Sequence, residues 1–336
     1  MNGYNSISLR SLNEGYNLSE ASDIKLGSNT INAIYYGSTL LWPLVTRDYS
    51  NEYLTIEALP SNNVNIYFRY YYNDMNIPIQ YSRDMSNWTT IYFGSADKPK
   101  IITLSAGDKI YLKGNNQAYG DIVRYCNINF LNGKVYMYGN IMSLVYGDNF
   151  YGQTLLTTDY TFKYLFSTYD YKKPSLIVDA SNLVLPATTL SYGCYSSMFY
   201  ECKYLTAAPE LPATTLEEYC YSSMFYECNY LTAAPELPAT TLTKGCYSSM
   251  FSSCGLTAAP ELPATTLAQR CYELMFSGCA SLNYIKCLAT NISATDCLFG
   301  WVDAVASTGT FVKNKNMPYW TTGTSGIPSG WTVQDA

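Results

Sequence analysis

Hydrophobic and polar residues recur in the second half of the chain with a fixed period. The block CYSSMFYECKYLTAAPELPATTL begins at Cys194 and returns almost unchanged 26 residues later, at Cys220. Altered copies begin at Cys246 and Cys271, and the last step is 25 residues because one residue is missing at Gly255. Self-similarity at this period is typical of a solenoid, in which each unit buries its apolar face against its neighbours.

The pattern within one unit predicts a short helix followed by a short extended segment. In the first copy Cys194, Met198 and Cys202 fall on one face of a helix. The run YLTAAPEL then alternates, with Leu205 inward and the threonine and glutamate outward. The predicted repeat core consists of Cys194, Met198, Phe199, Cys202, Leu205, Cys220, Phe225, Cys228, Cys246, Phe251, Cys254, Cys271, Phe276 and Cys279.

Shorter alternating runs before the repeats predict β-strands separated by Asn, Asp, Gly and Ser turns. Residues 1–46 are predicted to form a β-hairpin leader for docking, and residues 47–125 an antiparallel β-sandwich. Residues 126–182 are interpreted as a junction with a degenerate first repeat. The repeats then occupy 183–300, and 301–336 form a C-terminal β cap, because the open end of a repeat stack must be closed.

Composition and charge exclude several classes of function. The formal net charge is −6 and no run of Lys or Arg stands out, so nucleic-acid binding is not expected. The chain has no histidine, which removes the Ser-His-Asp triad, the Cys-His dyad and every histidine-containing metal site. No Gly-rich phosphate loop is present either. We therefore predict no cofactor and no metal.

The start of the chain and its apolar runs predict a protein made in the cytosol. The first residues, MNGYNSISLRSLNEGYNLSE, are polar and lack the basic and apolar regions of a signal peptide. No stretch approaches the roughly 18 apolar residues that a membrane-spanning helix needs, so no membrane insertion is expected.

The placement of the cysteines predicts buried free thiols. Of the eleven cysteines, all but Cys126 lie in or after the first copy. The two cysteines of one unit, such as Cys194 and Cys202, are eight residues apart. On a helix this is a rise of about 12 Å, beyond the Cα separation of about 7 Å that a disulfide tolerates. Buried thiols acting as small apolar residues fit a reducing cytosol.

The repeat motif MFxxCxxLTxAPxLPxTxL resembles the leucine-rich repeats of the Bacteroides surface protein A type, also called the Treponema pallidum class. The resemblance covers about Leu183 to Asn291 and implies adhesion and recognition at surfaces. The C-terminal run from Gly309 is similar to the closing segment of repeat proteins of Bacteroidales and their phages. The leading IYYGSTLLWP resembles the opening of many phage virion proteins. The predicted fold is therefore β-rich and multidomain, with the leader, the sandwich, an α/β leucine-rich-repeat solenoid and the cap.

Two groups of residues are candidate ligand contacts. The outward threonines and glutamates of the repeats are Thr206, Glu210, Thr232, Glu236, Thr257 and Glu261. Tyrosine is abundant, with 35 residues, and Tyr70, Tyr71 and Tyr72 form a cluster outside the repeats. Tyrosine provides rigid, amphipathic contact area, although it also fills strands and cores. The three glutamates are formally candidates for a carboxylate-only glycosidase, but one position copied three times favours a solvated row over a catalytic pair.

The sequence therefore predicts a non-enzymatic recognition or structural protein. The first expectation is a phage virion component of the tail-fibre or receptor-binding type, assembled in the host cytoplasm. Its predicted partners are a host surface glycan or protein and other virion proteins bound through the N-terminal segment, and a homo-oligomer is compatible with this role. The alternative is a bacterial cell-surface leucine-rich-repeat adhesin.

Overall fold

The computed structural model describes residues 24–26, 29–31, 34–36, 39–42, 48–71, 77–168, 174–317 and 319–336. Contacts divide the chain into two units, Met1–Asp48 and Tyr49–Ala336. In the first unit β1 (Ile24–Leu26) pairs antiparallel with β2 (Asn29–Ile31), and β3 (Ile34–Tyr36) pairs antiparallel with β4 (Thr39–Trp42). The finer domain boundaries expected from the sequence stay predictions.

Two β-sheets open the second unit. Their strands are β5 (Leu54–Ala58), β6 (Val64–Tyr71), β7 (Pro78–Ser82), β8 (Thr89–Tyr92), β9 (Gly94–Ser95), β10 (Lys100–Leu104), β11 (Lys109–Lys113), β12 (Tyr125–Leu131), β13 (Val135–Asn140) and β14 (Ile177–Val184). One sheet has the order β14-β13-β5-β11-β7-β8, and the other has the order β10-β6-β12, with β9 also pairing with β6. Alternate residues of β6, Val64, Ile66 and Phe68, are buried, an arrangement compatible with the predicted β-sandwich.

The prediction of an α/β leucine-rich-repeat solenoid is wrong. Within the described residues the one α-helix is α1 (Ser143–Tyr146), followed by a 3₁₀ turn, Gly147–Asn149, and both precede the repeats. The segment predicted to be a helix in each copy is a series of hydrogen-bonded turns instead. In the first copy the left-handed region is occupied at every fourth residue, by Gly193, Ser197 and Glu201, with φ of 56°, 55° and 58°. A right-handed helix does not accommodate such residues.

The backbone hydrogen bonds explain why turns replace the helix. The N–H of Tyr195 donates to Cys220 O of the next copy at 2.9 Å, and Phe199 donates to Met224 O at 2.9 Å. Between them, Met198 donates to Tyr195 O within its own turn at 3.2 Å. Alternate N–H groups therefore bond to the neighbouring copy, as they do in a β-sheet, and the buried positions repeat every four residues rather than every 3.6.

Parallel strand pairing joins the repeats to the sheets before them and to the segment after them. β14 pairs in parallel with β13 at the edge of the six-stranded sheet, and Asp179 forms a parallel bridge with Ala207 of the first copy. At the other end β15 (Tyr284–Cys287), β16 (Thr310–Lys313) and β17 (Thr332–Asp335) form a parallel three-stranded sheet. The second unit is thus mostly β-structure and turns.

Two columns of aromatic rings run through the core of the repeats. One column consists of Phe162, Tyr195, Tyr221, Tyr247 and Tyr272, and the other of Phe166, Phe199, Phe225, Phe251 and Phe276. Neighbouring rings in each column have centroids 5.6 to 6.2 Å apart. Both columns end against the buried ring of Trp301. The buried residues of the sheets and of the repeats form one continuous core, which fixes the positions of the surface residues.

Candidate functional site

The predicted outward row of the repeats lies at the surface. All six residues are exposed: Thr206, Glu210, Thr232, Glu236, Thr257 and Glu261. The leucines that flank each threonine–glutamate segment, such as Leu205 and Leu211, are buried and hold it in place. The structure therefore presents three equivalent threonine–glutamate pairs on a rigid support, and their role as ligand contacts stays a prediction.

The two ends of this row are held by neighbouring polar groups. The Thr206 hydroxyl donates to Val178 O at 2.7 Å, in the strand before the first copy. At the other end Lys286 Nζ donates to Glu261 Oε2 at 2.8 Å, and this hydrogen bond raises the pKa of Lys286. Glu261 is therefore paired with a cation, so the charge of the row decreases towards the C-terminal end.

The tyrosine cluster predicted in β6 takes part in internal packing. Tyr70 and Tyr71 are half-buried. Tyr71 stacks on Tyr125 at 4.6 Å, and Tyr125 in turn contacts Tyr164 at 4.6 Å. These rings connect the four-stranded sheet to the first turns of the repeat stack. Tyr72, the third predicted contact, lies outside the described residues.

A second group of tyrosines stands on the surface of the repeats themselves. Tyr200 and Tyr226 lie parallel with ring centroids 4.7 Å apart, and Tyr204 and Tyr230 lie parallel at 5.9 Å. Their recurrence at equivalent positions in the first two copies is visible in the sequence. Because the helix expected for this segment is wrong, however, the sequence does not indicate which of its side chains reach the surface.

Lys113 is the centre of a polar and aromatic cluster beside the six-stranded sheet. Asp148 Oδ1 accepts a hydrogen bond from Lys113 Nζ at 2.6 Å and another from the Tyr53 hydroxyl at 2.7 Å. The ammonium group lies 4.1 Å from the centre of the Trp88 ring, a cation–π contact. The hydrogen bond from Lys113 lowers the pKa of Asp148. Burial, and next the hydrogen bond to Asp148, raise the pKa of Tyr53 to about 12. The ammonium group of Lys113 thus covers the face of the Trp88 ring.

The predicted repeat core is buried, and the second thiol of each copy is hydrogen-bonded inside it. All eleven cysteines are free and buried. Cys228 Sγ donates to Phe199 O at 3.3 Å and Cys254 Sγ to Phe225 O at 3.0 Å, each to the preceding copy. Burial raises the pKa of these thiols well above the ordinary value. They are therefore poor nucleophiles and poor metal ligands.

Comparison of the chain with known protein families, with curated proteins and with solved structures found no match. The similarity to surface-protein repeats and to phage proteins thus stays a prediction from the motifs. In the part of the chain that the structure describes, no helix has both the length and the apolar character needed to cross a membrane. Nor do the described residues contain a group of three or more His, Cys, Asp or Glu side chains able to hold a metal ion.

Proposed function

We propose that this chain is a non-enzymatic recognition protein of a phage virion, of the tail-fibre or receptor-binding type, that contacts the host cell surface. The observation that carries the proposal is the row of exposed threonine–glutamate pairs repeated on a rigid core. A repeated surface of this kind suits a repeating partner such as a surface glycan. A surface protein of the host is the other partner class.

The rigidity of the stack favours binding. Backbone hydrogen bonds between copies and the two aromatic columns hold the exposed residues in one arrangement before any ligand arrives. Binding to a preorganised surface loses less conformational entropy than binding to a flexible one. In this proposal residues 1–46 contact other virion proteins, and the particle is assembled in the host cytoplasm.

The sequence equivalence of the three glutamates, one position copied in successive repeats, supports a role without catalysis. A glycosidase needs two carboxyl groups in different environments, one protonated and one ionised. Glu210 and Glu236 occupy the same position in two nearly identical copies. Assays on host polysaccharide with the wild type and with Glu210→Gln, Glu236→Gln and Glu261→Gln variants test this point. Turnover that any of these substitutions abolishes would contradict the non-enzymatic role.

Immunogold labelling tests the location and separates the proposal from its alternative. Antibodies against the purified chain are applied to phage particles released by lysis and to intact, uninfected cells of the culture that carries the gene. We expect label on the tails or fibres of the particles. Label on intact uninfected cells, with none on particles, would favour a bacterial cell-surface adhesin and overturn the virion assignment.

A further inference from the structure

The surface tyrosines of the first two copies form two stacked pairs, and the pair Tyr204–Tyr230 has an open end. Tyr204 covers one face of Tyr230, with the two ring planes 10° apart. Lys134 Nζ lies 5.7 Å from the centre of the Tyr204 ring. Because the copies stack in sequence order, the other face of Tyr230 is directed towards the third copy, and Tyr230 is 60% exposed.

The third copy lacks the side chains that would continue the two stacked pairs of surface tyrosines. Ser252 occupies the position of Tyr226, and Gly255 alone replaces the pair Asn229–Tyr230. The corresponding surface of the third and fourth copies carries small residues: Ser253, Ser277, Gly278, Ala280 and Ser281. The surface is therefore high at the ring of Tyr230 and low over these small residues. We call this change in height the step, and the surface of small residues its floor.

The backbone at Gly255 makes this step a fixed feature. A Cβ atom at Gly255 would lie 2.5 Å from Asn229 O and 3.4 Å from Leu231 O, the carbonyl oxygens of the two residues that flank Tyr230. The third copy can approach so closely only because residue 255 has no side chain. In addition, Asn229 Nδ2 donates to Ser253 O at 2.8 Å, which ties the edge of the step to the floor.

An ion pair lies beside the step, next to the buried carboxyl group of Glu201, whose pKa is raised by burial and then by Glu227. Lys203 Nζ lies 3.6 Å from Glu227 Oε2, and both side chains are about one-third exposed. The exposed Asn229 amide adds neutral hydrogen-bonding capacity at the rim. A neutral ligand with a flat face and a polar edge matches this combination better than an ion.

We propose that the open face of Tyr230 is a stacking site for a pyranose ring of a neutral glycan. This inference rests on the proposed recognition function and names the class of ligand. The apolar C–H face of the sugar packs on the tyrosine ring, in the place that a tyrosine of the third copy would otherwise fill. Its hydroxyl groups reach the Asn229 amide, and the small residues of the floor leave room for the neighbouring sugar units.

Saturation-transfer NMR on the full chain tests the site with four neutral trisaccharides: cellotriose, chitotriose, maltotriose and α-mannotriose. We expect at least one of them to bind. Tyr230→Ala should raise its Kd about tenfold, the effect of losing one aromatic contact, and Tyr230→Phe should keep it within about threefold. Tyr151→Ala is the matched control because Tyr151 is 63% exposed but lies outside the repeats. Circular dichroism and melting temperature verify that each variant is folded.

The outcomes separate this site from the proposed function. If none of the four trisaccharides binds at millimolar concentration, or if Tyr151→Ala weakens binding as much as Tyr230→Ala, the stacking site is wrong. Binding of the chain to host cells is measured in parallel. Cell binding without trisaccharide binding would leave the recognition function in place and remove the site. Trisaccharide binding at Tyr230 without label on virions would support the site and remove the virion role.

Discussion

At the scale of single residues, the second cysteine of each copy acts as a small hydrogen-bond donor within an apolar core. The thiols of Cys202, Cys228 and Cys279 each donate to a backbone carbonyl of the preceding copy, at 3.2, 3.3 and 3.0 Å. A valine in these positions would fill similar space but could not donate. The second cysteine of each copy is thus explained by packing and hydrogen bonding, without any reactive role.

We predict that the native protein does not react with a thiol reagent such as Ellman's reagent. Burial raises the pKa of Cys194 and Cys246 to about 12. The thiolate fraction is therefore minimal near pH 8, where an ordinary thiol with a pKa of about 8.5 reacts readily. After unfolding in guanidinium chloride all eleven thiols should react. Rapid modification of the folded protein at any cysteine would contradict the buried arrangement.

At the scale of the repeat element, the turn segment depends on one residue in four adopting a left-handed conformation. Ser223 has a φ of 55°, and Ser197 and Ser249 have the same value in their copies. Each of these residues has a Cβ atom that disfavours this conformation. The backbone hydrogen bonds to the neighbouring copy compensate for the strain, because the N–H of Ser223 donates to Ser248 O at 2.8 Å.

Substitutions at Ser223 should therefore change stability in opposite directions. Ser223→Gly relieves the conformational strain and should raise the free energy of unfolding by about 0.5 kcal/mol. Ser223→Val places a β-branched residue in the left-handed region and should lower it by about 2 kcal/mol. Urea unfolding measures both changes.

Ser222 provides the matched control for this prediction, since it is the adjacent serine and is not among the residues with positive φ. Ser222→Gly should destabilise the protein, because glycine there increases the conformational entropy of the unfolded chain and relieves no strain in the folded one. If Ser222→Gly and Ser223→Gly had the same effect, the left-handed geometry would not be the cause.

At the scale of the whole molecule, both ends of the repeat core are closed by aromatic residues. At one end Tyr119, in the segment between the sheets, stacks with Phe162 at 6.3 Å and so connects the sandwich core to the first column. At the other end Trp301 closes both columns, and its indole N–H donates to Gly326 O at 2.8 Å. The stack is thus capped by structured segments on both sides, which prevents its core from being exposed to water.

Trp301→Ala should remove the closure at the C-terminal end. Trp301 is fully buried, so we expect the free energy of unfolding to fall by about 3–5 kcal/mol in urea denaturation. Tyr319→Ala should change it by less than about 0.5 kcal/mol, because Tyr319 is 84% exposed and belongs to the same C-terminal segment. A loss below about 1 kcal/mol for Trp301→Ala would show that the stack does not depend on this closure.

The sequence alone determines the period, the buried positions of the repeat core and the exposed row of threonines and glutamates. Cys194, Met198 and Phe199 recur because each copy must match its neighbours across a shared core, and the alternation after Leu205 places threonine and glutamate outside. These features are local or strictly repeated, so the order of residues is enough to reveal them.

Only the tertiary structure decides between a helix and a series of turns, and only it reveals the step at Tyr230. An amphipathic run with Met198 and Phe199 four and five residues after Cys194 is compatible with both conformations within a single copy. The turns prevail because half of the N–H groups find their carbonyl partners in the next copy, a non-local interaction that no single copy encodes. For the same reason the exposure of Tyr230 depends on what stands beside it in the third copy, where Gly255 brings the backbone close and leaves the ring uncovered.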